Sequence, residues 1–224
     1  MTHSVDEARR QLIETGRALL DLQMTWGNAG NLSMRTTADR YLITATGTRL
    51  GELSEDDFAE CRVDGAPLES TRKPSKEMPM HRAVYQERPE INVVLHASPF
   101  YSTLIACSGE EIPSGWFVEA MYYLERVARV PYAHPGSAAL GDVVRQQAKA
   151  ANVLLLENHG VLVYDTNLKE ALMGLQTLEY TAKMLVTAKS AGIALRELPP
   201  ETVRAFLEEA GYKPRRNAVS TPRD

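Results

Sequence analysis

The stretch Asn152-Val153-Leu154-Leu155-Leu156-Glu157-Asn158-His159-Gly160-Val161-Leu162-Val163-Tyr164 frames the reading of this chain. Residues 152–156 and 160–164 are apolar runs of strand length, separated by polar residues and glycine that favour a turn. His159 sits where the first buried strand runs out. Leu95-His96-Ala97-Ser98-Pro99 repeats the arrangement at the end of a β-branched strand over 91–96. Strand ends are rigid platforms, and the loops beyond them are where chemistry is usually built.

Working outward, apolar periodicity predicts helices over 6–23, 77–87, 100–108, 138–150, 168–192 and 201–211. Ser4 and Ser75 are the expected N-caps of the first two, with Pro79 tolerated in a first helical turn. Segments 32–35 and 41–44 read as a hairpin pair. Segments 58–63 and 67–69 read as short strands around the turn Asp64-Gly65. Interleaved strands and helices argue an α/β chain, and hairpin-joined strands argue a mixed, mostly antiparallel central sheet flanked by helices. One domain over 1–216 is expected, followed by a disordered tail over 217–224. No internal repeat is visible.

The 224 residues are 44% hydrophobic, enough for a packed core, and the formal charge is −4. Nucleic acid and anionic membrane are not indicated as partners, since both favour a basic face. The basic cluster Lys213-Pro214-Arg215-Arg216 reads either as a solvated tail or as charge reaching an anionic ligand. Two cysteines, Cys61 and Cys107, make no disulfide framework, and Cys107 is expected to pack as a small hydrophobe. The N-terminus lacks an apolar signal core and no stretch is long enough to span a bilayer, so a cytoplasmic location is expected.

His96 and His159 at strand exits, with Glu77 upstream, form a plausible site of one carboxylate and two imidazoles. Such a set leaves positions open for a substrate. Each residue also has an ordinary reading: a satisfied structural histidine, or an acid at the positive end of a helix. Two small-residue loops, Trp26–Ser33 and Thr44–Thr48, are candidate anion cradles, with Gly30, Asn31, Thr46, Gly47 and Ser75 as contributors. Tight turns explain these loops equally well.

Several segments in order carry a resemblance: Ala29-Gly30-Asn31-Leu32-Ser33, Ile43-Thr44-Ala45-Thr46-Gly47, Lys73-Pro74-Ser75-Lys76-Glu77, residues 93–98, residues 131–137 and residues 154–163. Together they resemble the class II aldolase/adducin family, the fuculose-phosphate aldolase and ribulose-phosphate 4-epimerase group. The resemblance implies a three-layer fold of that type and a homotetramer with active sites between subunits. Glu77 stands at the family's catalytic glutamate, which can also touch the metal. His96 and His159 stand at zinc-ligand positions, with manganese or cobalt as alternatives. Gly30, Asn31, Thr46, Gly47 and Ser75 stand at the phosphate cradle. The implied reaction is metal-dependent cleavage of a ketose 1-phosphate, such as a deoxy or methylthio sugar, to dihydroxyacetone phosphate and an aldehyde.

The chain departs from the family pattern in two places. Ser98 stands where a further histidine ligand is usual. Three accounts compete: Glu77 completes a three-ligand set, His134 swings in, or metal binds weakly or not at all. Lys76 stands where a phosphate-binding serine is common, and its cation can still pair with phosphate. Tyr212 matches a C-terminal region that lends a tyrosine proton donor to a neighbouring subunit, with ordinary packing as its alternative. Glu119 is a candidate second acid/base. Phe100, Tyr101, Trp116 and Phe117 would suit an aldehyde end with few hydroxyls. Epimerisation, dehydration and decarboxylation on the same scaffold are alternative reactions, and a non-catalytic binding protein like the adducin branch is an alternative of another class.

Overall fold

The computed structural model describes residues 4–66, 68 and 72–214. One sheet is built from Asn31–Arg35 (β1), Arg40–Thr44 (β2), Phe58–Arg62 (β3), Val93–Ala97 (β4), Val127–Val130 (β5), Val153–Leu156 (β6) and Gly160–Asp165 (β7). Its seven strands run in the order β3-β2-β1-β4-β7-β6-β5. Only the β5–β6 pair is parallel. The helices are Val5–Asp21 (α1), Met78–Glu87 (α2), Phe100–Ala106 (α3), Val118–Tyr123 (α4), Ala138–Ala148 (α5), Leu168–Ala191 (α6) and Pro200–Glu209 (α7). The mixed, mostly antiparallel α/β architecture is the expected one.

Helices cover both faces of the sheet. Val93, Leu95, Val153, Leu155, Val161 and Val163 pack with buried residues of α1, α3, α4 and α6. The alternate positions Val94, Leu154, Leu156, Leu162 and Tyr164 pack with α2 and α5. Because side chains alternate between faces, a strand enclosed on both sides is apolar at nearly every position. The long apolar runs in β4, β6 and β7 are the consequence. Two buried cations sew the α2 layer to its surroundings. Arg35 donates to the carbonyls of Ile91, Ala38 and Tyr85. Arg88, at the end of α2, reaches the carbonyls of Ala148 and Ala151, the Asn152 side chain and Glu90. Buried guanidinium groups persist only when so satisfied.

Several expectations need correction. Sequence patterning predicts neither α4 nor β5, which have only 6 and 4 residues. Strand β5 is a half-buried edge that breaks its apolar run with Arg129. Cys107 is not packed inward: it caps α3 and is exposed, and both cysteines are free. Lys213 is not a solvated tail residue, since its Nζ lies 2.9 Å from both Glu170 carboxylate oxygens. Arg215, Arg216, the 217–224 tail and all of the 67–69 strand except Leu68 lie outside the described residues. Among the described residues, no helix is long and apolar enough to cross a membrane.

Helix α1 crosses the short helical turn Leu50–Glu52 at a glycine. A Cβ at Gly16 would lie 2.1 Å from the Leu50 carbonyl oxygen. Alanine gains about 1 kcal/mol of helix propensity over glycine. Overpacking against a backbone atom costs about 1–3 kcal/mol. Gly16→Ala is therefore expected to destabilise the protein, read as a lower guanidinium midpoint with an unchanged m-value.

Candidate metal centre

The antiparallel register sets Asn31 opposite His96 and His96 opposite Leu162. The β6–β7 turn brings His159 to the same end of the sheet. There Asn158 adopts φ 53°, a left-handed conformation that asparagine tolerates. The His159 N–H donates to the Leu156 carbonyl at 3.1 Å. Gly160 is required by close approach: a Cβ would lie 2.7 Å from the Ala97 carbonyl oxygen, 2.9 Å from Ser98 Oγ and 3.3 Å from His96 Cε1.

Glu77 arrives on a segment laid beside the exit of β2. An isolated bridge joins Ala45 and Pro74, the Thr46 N–H donates to Lys73 and the Ser75 N–H donates to Thr44. The expected Ser75 cap is corrected. Glu77 itself is the N-cap residue, because α2 starts only at Met78 with Pro79 in its first turn. Ser75 Oγ accepts the Glu77 N–H at 3.3 Å instead.

The ligand atoms of Glu77, His96 and His159 all lie within 4.8 Å of one another. His96 Nδ1 faces the Val161 carbonyl at 3.0 Å. A carbonyl only accepts, so Nδ1 carries the proton and Nε2 is bare. That bare nitrogen lies 3.3 Å from Glu77 Oε2. Burial pushes the His96 imidazole below its ordinary pKa, against the pull of the Glu77 carboxylate. His159 Nε2 approaches Glu77 Oε1 at 2.9 Å, yet Oε1 is buried without a hydrogen bond of acceptable geometry. Burial opposes ionisation of Glu77. The Asn31 amide donating to Oε2 works against that penalty, and the carboxyl lies below its ordinary range. A lone pair facing a carboxylate, beside an orphaned carboxylate oxygen, calls for positive charge between them. The donor set fits a divalent cation.

The cluster forms part of the wall of a cavity of about 530 Å³. Gly30, Asn31, Thr46, Gly47, Ser75 and Lys76 line the same cavity, so every expected cradle residue meets the cluster there. Ser98 lines it too. His134 does not join the three-residue group. It is exposed, with Nδ1 3.2 Å from the Tyr132 hydroxyl. Glu119 lines a separate, larger cavity with Phe100, Tyr101 and Phe117. Tyr212 packs on Phe206 and Tyr122 of its own chain.

Sequence reasoning missed a buried polar chain behind the site. Asn31 Nδ2 donates to Glu77 Oε2 at 2.6 Å, and Asn31 Oδ1 lies 2.6 Å from His81 Nε2. His81 Nδ1 meets Ser33 Oγ at 2.7 Å, and Ser33 Oγ meets the Tyr85 hydroxyl at 2.8 Å. The available signal was spacing: His81 follows Glu77 by four residues, one helical turn along the same face. Burial pushes the His81 imidazole down to about 3 from 6.5.

This shift has a pH consequence. The unfolded chain takes up a proton at His81 below pH 6.5, whereas the folded chain resists until about 3. The unfolded state then binds more protons, so stability falls with pH by up to about 1.4 kcal/mol per unit within that window. Guanidinium midpoints measured between pH 7 and 4.5 are expected to drop more steeply for the wild type than for His81→Gln.

The family model for the class II aldolase and adducin N-terminal domain matches residues 10–186. The chain is 34% identical over 194 residues to a 3-oxo-tetronate 4-phosphate decarboxylase of Haemophilus influenzae, covering 84% of this chain and 91% of that one. It is 31% identical over 176 residues to an L-fuculose phosphate aldolase of Methanocaldococcus jannaschii, covering 79% and 94%. The structure superposes on YgbL of Klebsiella pneumoniae, described as a candidate aldolase, epimerase or decarboxylase, with a TM-score of 0.84. That match has 29% identity and covers 91% and 99% of the two chains. By that match over most of its length and by these relatives, the chain belongs to the class II aldolase and adducin family.

Proposed function

We propose that this chain is a divalent-cation-dependent lyase that breaks a carbon–carbon bond in a small phosphorylated keto compound. The observation that carries the reading is the meeting of the Glu77, His96 and His159 cluster with the Gly30, Thr46-Gly47, Ser75 and Lys76 wall in one cavity. Backbone N–H groups and hydroxyls on that wall suit a phosphate, and Lys76 adds a cation. Glu77, His96 and His159 would hold the metal, which supplies Lewis-acid stabilisation of negative charge on the substrate carbonyl oxygen. Zinc is the first cation to test, then manganese and cobalt. The proposed assembly is a homotetramer and the proposed setting cytoplasmic.

The leading reaction is aldol cleavage of a ketose 1-phosphate, in line with the named activity of the Methanocaldococcus relative. The substrate hydroxyl gives up its proton, the adjacent carbon–carbon bond breaks, and its electron pair moves onto the dihydroxyacetone phosphate fragment. Glu77 is the proposed group that exchanges the proton with the carbon left behind. Tyr212 of a neighbouring subunit, and Glu119, are the proposed further acids. The second reading is decarboxylation of a phosphorylated 3-oxo acid, supported by the Haemophilus relative at 34% identity. Both reactions leave an electron pair beside a carbonyl. They differ in the departing fragment, an aldehyde or carbon dioxide.

The test incubates zinc-loaded protein with L-fuculose 1-phosphate, 5-deoxy-D-ribulose 1-phosphate and 3-oxo-tetronate 4-phosphate, following dihydroxyacetone phosphate and carbon dioxide separately. Dihydroxyacetone phosphate from a ketose 1-phosphate, lost in His159→Ala together with bound zinc, is the expected outcome. Release from the oxo acid alone, with carbon dioxide, replaces the leading reaction with the second. Zinc bound at one per chain with no product from any of the three overturns both.

A further inference from the structure

Behind the candidate metal centre, two ladders of side chains mesh. Asn31, Ser33 and Arg35 stand two residues apart on β1. Glu77, His81 and Tyr85 stand four apart, from the N-cap of α2 onward. Two strand residues advance about 6.7 Å and four helical residues about 6 Å, so the ladders stay nearly in step. The contacts are Asn31 to Glu77 and His81, Ser33 to His81 and Tyr85, and Arg35 to the carbonyl and ring of Tyr85.

Chemistry settles which atom donates at each contact. The Glu77 carboxylate only accepts, so the Asn31 amide nitrogen faces it and Oδ1 faces His81. An amide oxygen only accepts, so His81 Nε2 carries its proton. A neutral imidazole then has a bare Nδ1, which accepts the Ser33 hydroxyl proton. Ser33 Oγ in turn accepts from Tyr85. From Ser33 through His81 to Asn31 every donor points toward Glu77, while the Tyr85 hydroxyl lies 2.8 Å from Ser33 Oγ and 3.5 Å from the Asn92 carbonyl. His81 is 0% exposed, so water cannot replace any link through it.

We propose that His81 is a positioning residue for Glu77: its Nε2–H fixes the Asn31 amide, whose N–H anchors Glu77 Oε2 and so holds the carboxylate against the two imidazoles where the cation would sit. The proposal rests on the reading of Glu77, His96 and His159 as a cation site. A rotated Asn31 would turn its oxygen onto the carboxylate and drive Glu77 away from the imidazoles. The carboxylate disfavours that rotation from one side of the amide, and a fixed donor at His81 opposes it from the other. His81 touches neither cation nor substrate; it acts through Asn31.

Two measurements on the full-length protein test this. Nitrogen NMR of the metal-free, ¹⁵N-histidine-labelled chain is expected to show His81 protonated at Nε2 and bare at Nδ1. Calorimetric zinc titration then compares the wild type with His81→Gln, whose side-chain N–H replaces Nε2–H, and His81→Met, which keeps bulk without a donor. His81→Met is expected to bind zinc about 10- to 100-fold more weakly, with His81→Gln restored to within about threefold of wild type. Circular dichroism checks that both are folded. Asn31→Ala, which removes the amide itself, is expected to match His81→Met and serves in its place if that variant does not fold. An Nδ1–H tautomer, wild-type affinity in the donor-less variant, or equal loss in a folded His81→Gln overturns the positioning role alone. Failure of the wild type to bind zinc overturns the cation reading, and the positioning role with it.

Discussion

The sheet is enclosed by helices on both faces, and that enclosure governs where polar chemistry can sit. A side chain on a central strand must be apolar or fully satisfied, because unpaired polar groups are costly to bury. Ligand-bearing residues therefore collect where strands end. Antiparallel pairing puts the start of β1, the end of β4 and the start of β7 side by side. Asn31, His96 and the His159-Gly160 turn meet there, and the segment between β3 and α2, laid beside the exit of β2, brings Ser75, Lys76 and Glu77 across the opening. The opposite end of the same sheet has a different duty, with Arg88 tying α2 to the α5–β6 connection.

Within the cluster, the charge balance rests on one tautomer. The Val161 carbonyl holds the His96 proton on Nδ1, so its other nitrogen meets a carboxylate with a lone pair. Two acceptors face each other at a buried site, an arrangement that is stable with a cation between them. Ser98 lines the same cavity, with its Oγ close to Gly160. Glu77, His96 and His159 are the carboxylate and imidazole groups that could hold a cation there among the described residues.

Much of this was legible in the chain. His96 and His159 stood out because each follows an apolar strand. The cradle loops stood out because glycine, threonine and asparagine cluster there. What was hidden is physically consistent. Strand β5 and helix α4 are short and lack a strong apolar period, so tertiary contacts decide them. The α2 cap shifted from Ser75 to Glu77 by the same local competition that makes helix boundaries hard to place. His81 lies inside a helix and resembles a packing residue until Asn31 is known to sit across from it. Cys107 ends an apolar run yet lies at a helix end, where the exposed side is open to it. Within a single chain, Glu119, His134 and Tyr212 remain apart from the three-residue cluster.

The polar face of β1 also bears on how the chain finds its pairing. Strands β4, β6 and β7 are buried and largely apolar on both faces, so sliding one of them by a residue exchanges one greasy side chain for another. Strand β1 is different. A one-residue slip would turn Asn31, Ser33 and Arg35 away from α2 and into the apolar layer of α1 and α6. It would also strand Glu77, His81 and Tyr85 without partners. The side chains that furnish the site thus act as a key that rejects mispaired sheets during folding. A lineage that abandoned the chemistry would still need a substitute for that key before these residues were free to drift.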